Sequence, residues 1–269
     1  RLIKSIRYFL LALQFFTRIP ITGRLGDWVD YSPEALRKSA AYFPAIGWIV
    51  GVITALSYWL IASNLPDLPA TPLVAAFAST FVGLMLTGGF HEDGLADLTD
   101  GLGGSMKREK ALEIMKDSRI GSFGTLSLII ALGGKISLLT LLGQQDIILA
   151  CLALFGAHIS SRFTPLFLIR FQSHVGDEAG SKSKPLSDSI SWPTFSVGTI
   201  WWLASLILLH FLYPDVPWWG AVVGTVITLI WMFRLLARRL EGFTGDGLGA
   251  TQQICEIGFY LGLLMVMQT

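Results

Sequence analysis

Long apolar stretches recur along this chain, and short polar segments separate them. Each stretch approaches the roughly 17–25 residues that a helix needs to cross a bilayer. The pattern therefore predicts an all-α fold, a polytopic integral membrane bundle of about seven transmembrane helices, of which the last is the least apolar. The predicted spans are 45–62, 72–90, 122–143, 147–169, 196–213, 217–236 and 253–268.

The N-terminal segment 5–19 has a different pattern. Its apolar residues alternate with Arg7, Gln14 and Arg18, and the stretch stops at Pro20. This alternation is typical of an amphipathic helix that lies in the membrane interface. Because the spans follow one another closely, we expect residues 1–269 to form a single integral membrane domain.

Composition agrees with a membrane protein, and charge suggests its orientation. The chain is 52% hydrophobic and 14% charged, and its mean hydropathy is +0.59. Lys and Arg accumulate in cytoplasmic loops. All but two of the 20 basic residues lie in 1–44, 90–121, 170–195 and 234–252, and the loops 63–71, 144–146 and 214–216 have none. We therefore predict a bacterial-type cytoplasmic (inner) membrane protein with a cytoplasmic N-terminus.

The remaining composition excludes two other classes of protein. A net charge of +1, with basic residues distributed as topology markers, gives no nucleic-acid surface. Cys151 and Cys255 both fall in or near predicted spans, so we interpret them as small buried apolar groups and not as a disulfide framework.

Four carboxylates follow the second predicted span, and they belong to Glu92, Asp93, Asp97 and Asp100. If the helix of that span continues past the membrane surface, Asp93, Asp97 and Asp100 share one face. Like charges at this spacing repel unless a cation neutralises them. Oxygen ligands select hard cations such as Mg²⁺. The pattern predicts a site for Mg²⁺ or Mn²⁺ with Glu92, Asp93 and Asp97 as ligands, and the alternative is a solvated acidic helix end.

A second polar motif occupies residues 113–124, before the third predicted span. Asp117 is a candidate additional metal ligand, and Lys116 and Arg119 are candidates for binding phosphate oxygens. Basic residues at a membrane boundary are also expected from topology alone, so both interpretations stay open.

A glycine-rich third motif, residues 243–250, carries Asp246, a candidate contact for metal or for a hydroxyl group. A tight turn between helices would explain these glycines equally well. Arg162 lies inside a span and could reach a pyrophosphate near the acidic cluster. Lys135 and Glu256 also fall inside spans. Lys135 has no obvious partner in the sequence, and we assign neither residue a role in the predicted site.

Five segments of the chain together resemble the cobalamin synthase family, also called adenosylcobinamide-GDP ribazoletransferase. They are Leu13 to Pro20, Tyr42 to Gly47, Thr87 to Gly104, Glu113 to Gly124 and Thr244 to Ala250. The resemblance covers nearly the whole chain in order. It implies transfer from adenosylcobinamide-GDP to α-ribazole or its 5′-phosphate, with release of GMP and with Mg²⁺ as cofactor. It leaves open whether the chain forms a homo-oligomer.

The implied chemistry assigns roles within the acidic motif and leaves two rival functions. A ribose hydroxyl would attack the phosphate nearest the cobinamide, and Asp100 is our hypothesised general base, although Asp97 is a close alternative. The motif also resembles a CDP-alcohol phosphotransferase signature, from which it departs after Asp97, so a phospholipid-forming enzyme is one rival. A cation transporter is the other, but transport predicts polar residues near the bilayer midplane, whereas the predicted acids crowd at one surface.

Overall fold

The computed structural model describes residues 2–29, 31–175 and 189–267, and helices dominate them. Within these ranges the β-type pairing is an isolated bridge between His174 and Phe243. The predicted all-α fold is therefore confirmed. The helices are α1 Leu2–Phe16, α2 Gly23–Val29, α3 Pro33–Ser39, α4 Phe43–Asn64, α5 Thr71–Thr87, α6 Phe90–Gly104, α7 Arg108–Met115, α8 Ser122–Gln145, α9 Ile147–Phe163, α10 Pro165–Phe171, α11 Trp192–Leu212, α12 Trp218–Arg239 and α13 Gly245–Val266.

Long apolar helices confirm the polytopic membrane bundle. In the described part of the chain, five helical segments are long and apolar enough to cross a membrane, and α5 with α6 adds a sixth only as a bent pair. Large apolar side chains such as Phe77, Ile130, Ile207 and Ile227 lie exposed on these helices, as expected for surfaces that face lipid. The predicted seventh span falls in α13, a 22-residue helix that is more polar because it carries Gln252, Gln253 and Glu256.

The second predicted span ends earlier than expected. Gly88 and Gly89 both have left-handed backbone conformations, with φ of 67° and 66°, and they separate α5 from α6. Glycine adopts this conformation without the steric cost that a side chain would add. The two helices meet at 90°. The prediction that one helix carries the acidic motif straight out of the membrane was therefore wrong, and α6 is a separate helix outside the span of α5.

Reciprocal glycine contacts bring α12 and α13 together. Gly220 and Gly224 of α12 face Gly258 and Gly262 of α13. A Cβ atom added at Gly224 would lie 2.0 Å from the carbonyl oxygen of Gly258, and one at Gly262 would lie 2.3 Å from that of Gly220. Two small residues four apart on each helix allow this backbone approach in membranes. The contact holds the backbones of α12 and α13 together over about one turn of each helix.

A similar contact joins α4 to α9. A Cβ atom at Gly47 would lie 2.5 Å from the carbonyl oxygen of His158, and one at Gly51 would lie 3.0 Å from the Cα atom of Phe155. Nearly every residue of α9 is buried, so α9 is the central helix of the bundle. Cys151 of this helix and Cys255 are free and buried, as predicted.

Backbone capping from α12 holds the C-terminal end of α6. Arg239 Nη2 donates hydrogen bonds to the carbonyl oxygens of Leu102 (3.0 Å) and Ser105 (2.7 Å). These carbonyls have no partner within α6, and a basic side chain at a helix C-terminus also interacts favourably with the helix dipole. Arg108 Nε donates to the carbonyl oxygen of Leu240 at 2.8 Å, which adds a second link between these segments.

Candidate active site

The start of α13 packs against α6 and brings a further carboxylate, that of Asp246, to the acidic motif. A Cβ atom at Gly94 would lie 2.9 Å from the backbone oxygen of Asp246, so only a glycine permits this approach. Thr244 caps α13 by accepting a hydrogen bond from the backbone N–H of Gly247 at 3.0 Å. The cap fixes the first turn of α13, which contains Asp246, beside α6.

The electrostatics show that Asp93, Asp97 and Asp246 share one environment. Burial, and then the negative charges of Asp93 and Asp100, raise the pKa of Asp97 to about 6. Burial, and then the charges of Asp97 and Asp93, raise the pKa of Asp246 to about 7. The ion pairs formed among the described residues include none of these three carboxylates. Like charges therefore converge here, and no cationic side chain among the described residues forms an ion pair with them.

This donor set fits a hard divalent cation that is shared with a substrate. Among the described residues, no three His, Cys, Asp or Glu side chains already form a closed metal cage. Mg²⁺ commonly binds one or two carboxylates, keeps several waters and takes its other oxygens from substrate phosphates. The carboxylates of Asp93, Asp97 and Asp246, which form no ion pair with a described residue, supply oxygen atoms of the kind that Mg²⁺ binds.

Asp100 lies on the same helix but has a different environment. Its side chain is buried, and its Oδ2 and Oδ1 atoms accept hydrogen bonds from the backbone N–H groups of Gly121 and Gly124, each at 2.7 Å. These groups belong to the N-terminus of α8, where a carboxylate is favoured by the orphan N–H groups and by the helix dipole. Asp100 thus fastens the second motif to α6, and both of its oxygens are engaged in doing so.

The exposed end of the second motif contains an ion pair between Asp117 and Arg119. Arg119 Nη2 lies 2.7 Å from Asp117 Oδ2, and the backbone N–H of Arg119 donates to Asp117 Oδ1 at 3.0 Å. These hydrogen bonds lower the pKa of Asp117 to about 2. Exposed pairs of this kind contribute little to stability, so a phosphate can replace the carboxylate as the partner of Arg119. Lys116 lies beside them at the C-terminal cap of α7.

Two predicted site residues point into the bundle and not toward this carboxylate group. Arg162 is 4% exposed, and its Nη1 atom lies 2.9 Å from His158 Nδ1 and donates to the carbonyl oxygen of His158 at 3.1 Å. Glu92 Oε1 accepts a hydrogen bond from Gln253 Nε2 at 3.1 Å. Both side chains belong to a polar group in the interior.

The partners that form this interior group were not predicted from the sequence. Lys135 Nζ lies 2.6 Å from Glu256 Oε1, and Tyr260 OH donates to the same oxygen at 2.9 Å. A signal was present, since Gln252, Glu256 and Tyr260 are spaced four residues apart and share one face of α13. Ionisable residues inside membranes usually pair with one another, which would have matched Lys135 with Glu256.

Comparison with known proteins agrees with the motif resemblance. The family profile described as cobalamin-5-phosphate synthase matches residues 8–264. A Polaromonas sp. protein named adenosylcobinamide-GDP ribazoletransferase is 54% identical to this chain over 96% of both sequences. Proteins of the same name from Leptothrix cholodnii and Shewanella amazonensis are 42% and 40% identical, over 98% of this chain and 97% and 96% of their own lengths. No solved structure matches. The chain therefore belongs to the cobalamin-5-phosphate synthase family.

Proposed function

We propose that this chain transfers the adenosylcobinamide-phosphate group of adenosylcobinamide-GDP to α-ribazole or α-ribazole 5′-phosphate and releases GMP. The names of its relatives give the donor substrate and the ribazole acceptor. The observation that carries the proposal is the convergence of three motifs on α6. Asp100 fastens the second motif to this helix, and the contact at Gly94 places Asp246 of the third motif beside it.

The reaction forms one phosphorus–oxygen bond and breaks another. A ribose hydroxyl oxygen bonds to the phosphorus nearest the cobinamide, and the bond to the bridging oxygen breaks, so that GMP leaves with that oxygen. The hydroxyl proton passes to a carboxylate. We assign this role to Asp246, which is half-buried and titrates near neutral pH, because both oxygens of Asp100 already accept backbone hydrogen bonds. Asp100 is then a positioning residue in place of the predicted base.

Asp93 and Asp97 are the residues that we expect to hold Mg²⁺. When bound, the ion would neutralise the charge of the diphosphate and of the leaving GMP. Asp93 is exposed and Asp97 is partly buried on adjacent turns of α6, so both can face a substrate that approaches from the aqueous side. Asp117 is engaged with Arg119, and Glu92 with Gln253, so neither belongs to this proposed ligand set.

Phosphate binding is assigned to the exposed cations of the second motif, Lys116 and Arg119. Arg162 is given an interior role because it is buried and bonded to His158. The site lies at the end of the bundle where the capping residues Arg108 and Arg239 also lie. By the positive-inside rule this end faces the cytoplasm, and the bilayer is the inner membrane of a bacterial-type cell.

The interior polar group bears on the ion-transporter alternative, because it places an acidic side chain inside the bundle. Glu256, which the sequence placed inside a span, is 1% exposed inside the bundle, apart from the acids of the acidic motif. Its carboxylate is paired with Lys135, and Arg162 is bonded to His158, so each of these charged side chains has a protein partner in the interior. Neither the transport alternative nor the phospholipid-forming alternative gains support from the relatives, which share one transferase name.

A substrate comparison with the purified protein in lipid vesicles tests the proposal. We expect GMP release from adenosylcobinamide-GDP and α-ribazole, and no CMP release from CDP-diacylglycerol. Asp93→Asn should abolish turnover while the protein remains folded, whereas Asp67→Asn, in an exposed loop remote in sequence from the three motifs, should match the wild type. Full activity of Asp93→Asn would refute the proposed metal site. Cation flux without GMP release would refute the transferase function and support the transporter alternative.

A further inference from the structure

A buried polar group lies inside the bundle, and the mechanism above makes no use of it. Glu256 is its centre. Its Oε1 atom lies 2.6 Å from Lys135 Nζ and accepts a hydrogen bond from Tyr260 OH at 2.9 Å, and its Oε2 atom accepts from Gln252 Nε2 at 3.3 Å. The side chains of Glu256 and Lys135 are only 1% and 8% exposed. Charges buried this deeply within a membrane protein are costly, and they usually mark function.

Hydrogen bonds run from Glu256 to the first turn of α6. Gln253 Nε2 donates to Gln252 Oε1 at 2.7 Å and to Glu92 Oε1 at 3.1 Å. Gln252 and Gln253 are 1% and 5% exposed, so solvent does not compete for these bonds. An unbroken chain of polar contacts thus links Lys135 on α8, through α13, to Glu92 on α6.

The group is balanced in charge without an added cation. Arg162 Nη1 lies 2.9 Å from His158 Nδ1, and His158 Nε2 lies 3.7 Å from Glu256 Oε1. The two carboxylates of Glu92 and Glu256 therefore share one buried environment with the two basic side chains of Lys135 and Arg162. Burial and the hydrogen bond to Gln253 distinguish Glu92 from its neighbour Asp93, whose side chain is exposed.

The start of α6 needs such a link. Two left-handed glycines, Gly88 and Gly89, precede it, and glycine is the residue with the most freedom of backbone rotation. Glu92 lies in the first turn after this bend, directly before Asp93. Phe90 and His91 of this turn pack on Phe16, and the hydrogen bond of Glu92 adds a polar contact that sets the rotation of the turn about the helix axis.

We propose that Glu92 is a positioning residue, and that its hydrogen bond to Gln253 fixes the first turn of α6 so that Asp93 and Asp97 face the substrate diphosphate. This inference rests on the proposed function above. By this inference, the interior polar group serves the same reaction, because it holds α6 in a fixed orientation relative to α13.

Gln253→Leu cuts the link without removing a charge or breaking the pair of Lys135 and Glu256. We expect kcat to fall on the order of 10-fold, because small displacements of reacting groups have effects of this size. The Mg²⁺ concentration for half-maximal activity should rise by at least about 3-fold. Gln144→Leu is the matched control, since Gln144 is exposed and donates to the carbonyl oxygen of Pro69 at 3.0 Å. A merely structural role would lower thermal stability but would leave the Mg²⁺ dependence of the folded enzyme unchanged.

Glu92→Gln provides the second arm, and it carries the test if Gln253→Leu does not fold. A glutamine side chain at position 92 still accepts the bond from Gln253, so this variant should lose less than about 3-fold in kcat. A loss of 100-fold or more with intact folding would mean that Glu92 contacts the metal, and the proposal would be overturned. Equal kinetics for Gln253→Leu and Gln144→Leu would also overturn it. Failure of the wild-type protein to release GMP would instead refute the proposed function.

Discussion

Replacing Gly94 by alanine should displace Asp246 from the other carboxylates of the site. The added Cβ atom would lie 2.9 Å from the backbone oxygen of Asp246 and 3.1 Å from its Cα atom, where ordinary contacts are 3.4–4 Å. Backbone atoms cannot rotate away as a flexible side chain can, so the first turn of α13 must shift. The shift also disturbs Gly249, where a Cβ atom would lie 3.2 Å from the backbone of His91.

The expected cost of Gly94→Ala follows from this crowding. Overpacking by one methyl group in a close-packed interior destabilises proteins by about 1–3 kcal/mol. A displacement of 1 Å at a reacting group can reduce turnover by about 100-fold, so a shift of several tenths of an ångström should reduce kcat by about 10-fold. The free energy of unfolding and the turnover number should therefore both decrease.

The assay compares Gly94→Ala with Gly133→Ala in the same detergent. Gly133 lies in α8, and a Cβ atom there would have no neighbour within 4 Å. Alanine favours helix by about 0.5–1 kcal/mol over glycine, so the control should be as stable as the wild type or slightly more stable, with unchanged GMP release. A Gly94→Ala protein with wild-type kcat and thermal midpoint would refute the close approach of α13 to α6.

Three further predictions concern other parts of the site. Asp100→Ala removes two hydrogen bonds at the N-terminus of α8 and should lower the free energy of unfolding by about 2–3 kcal/mol. Thermal unfolding in detergent measures this change, and an unchanged midpoint would contradict the anchoring role of Asp100. Gly258→Ala would place a methyl group 2.7 Å from the carbonyl oxygen of Gly224. The thermal midpoint of this variant should therefore fall, and cross-linking should detect a loosened contact between α12 and α13. Unchanged packing of the two helices in the variant would disprove the glycine interface. Because burial and like charges raise the pKa of Asp97 to about 6 and that of Asp246 to about 7, these two carboxyl groups bind more protons in the folded metal-free protein than in the unfolded chain between about pH 4 and 7. Their contribution to stability should therefore decrease as pH rises through this range, and it is measured as the difference in thermal unfolding between the wild type and the double variant Asp97→Asn, Asp246→Asn. Stabilisation by Mg²⁺ should increase over the same range because the ligands must lose their protons, and thermal shifts that are independent of pH would contradict this linkage.

Much of the fold was predictable because long apolar helices leave a strong pattern in a sequence. The spans and the N-terminal helix were predicted with boundaries close to those observed for α1, α4, α8, α11 and α12. The bend at Gly88 and Gly89 was missed because hydropathy is continuous across it. Backbone conformation at two adjacent glycines decides the direction of α6, and a hydropathy pattern contains no such information.

The site was predicted less completely, since helical spacing gives the face of a side chain but not its partner. Spacing placed Asp93, Asp97 and Asp100 on one face of a helix and treated the three as equivalent, although Asp100 has a different environment. The difference arises from Gly121 and Gly124, whose N–H groups reach Asp100 from a segment more than twenty residues later. Contacts between distant segments, such as this one, depend on tertiary packing.

The glycine interface between α12 and α13 has a consequence for how the enzyme can move during turnover. Helices in direct backbone contact cannot slide without severe clashes. The helix α13, which carries Asp246, is therefore a rigid side of the site. The opposite wall, which carries Lys116 and Arg119, is a short exposed connection between α7 and α8. The connection is anchored at its α8 end by the hydrogen bonds from Gly121 and Gly124 to Asp100, so we expect the rearrangements of turnover to involve this connection more than α13.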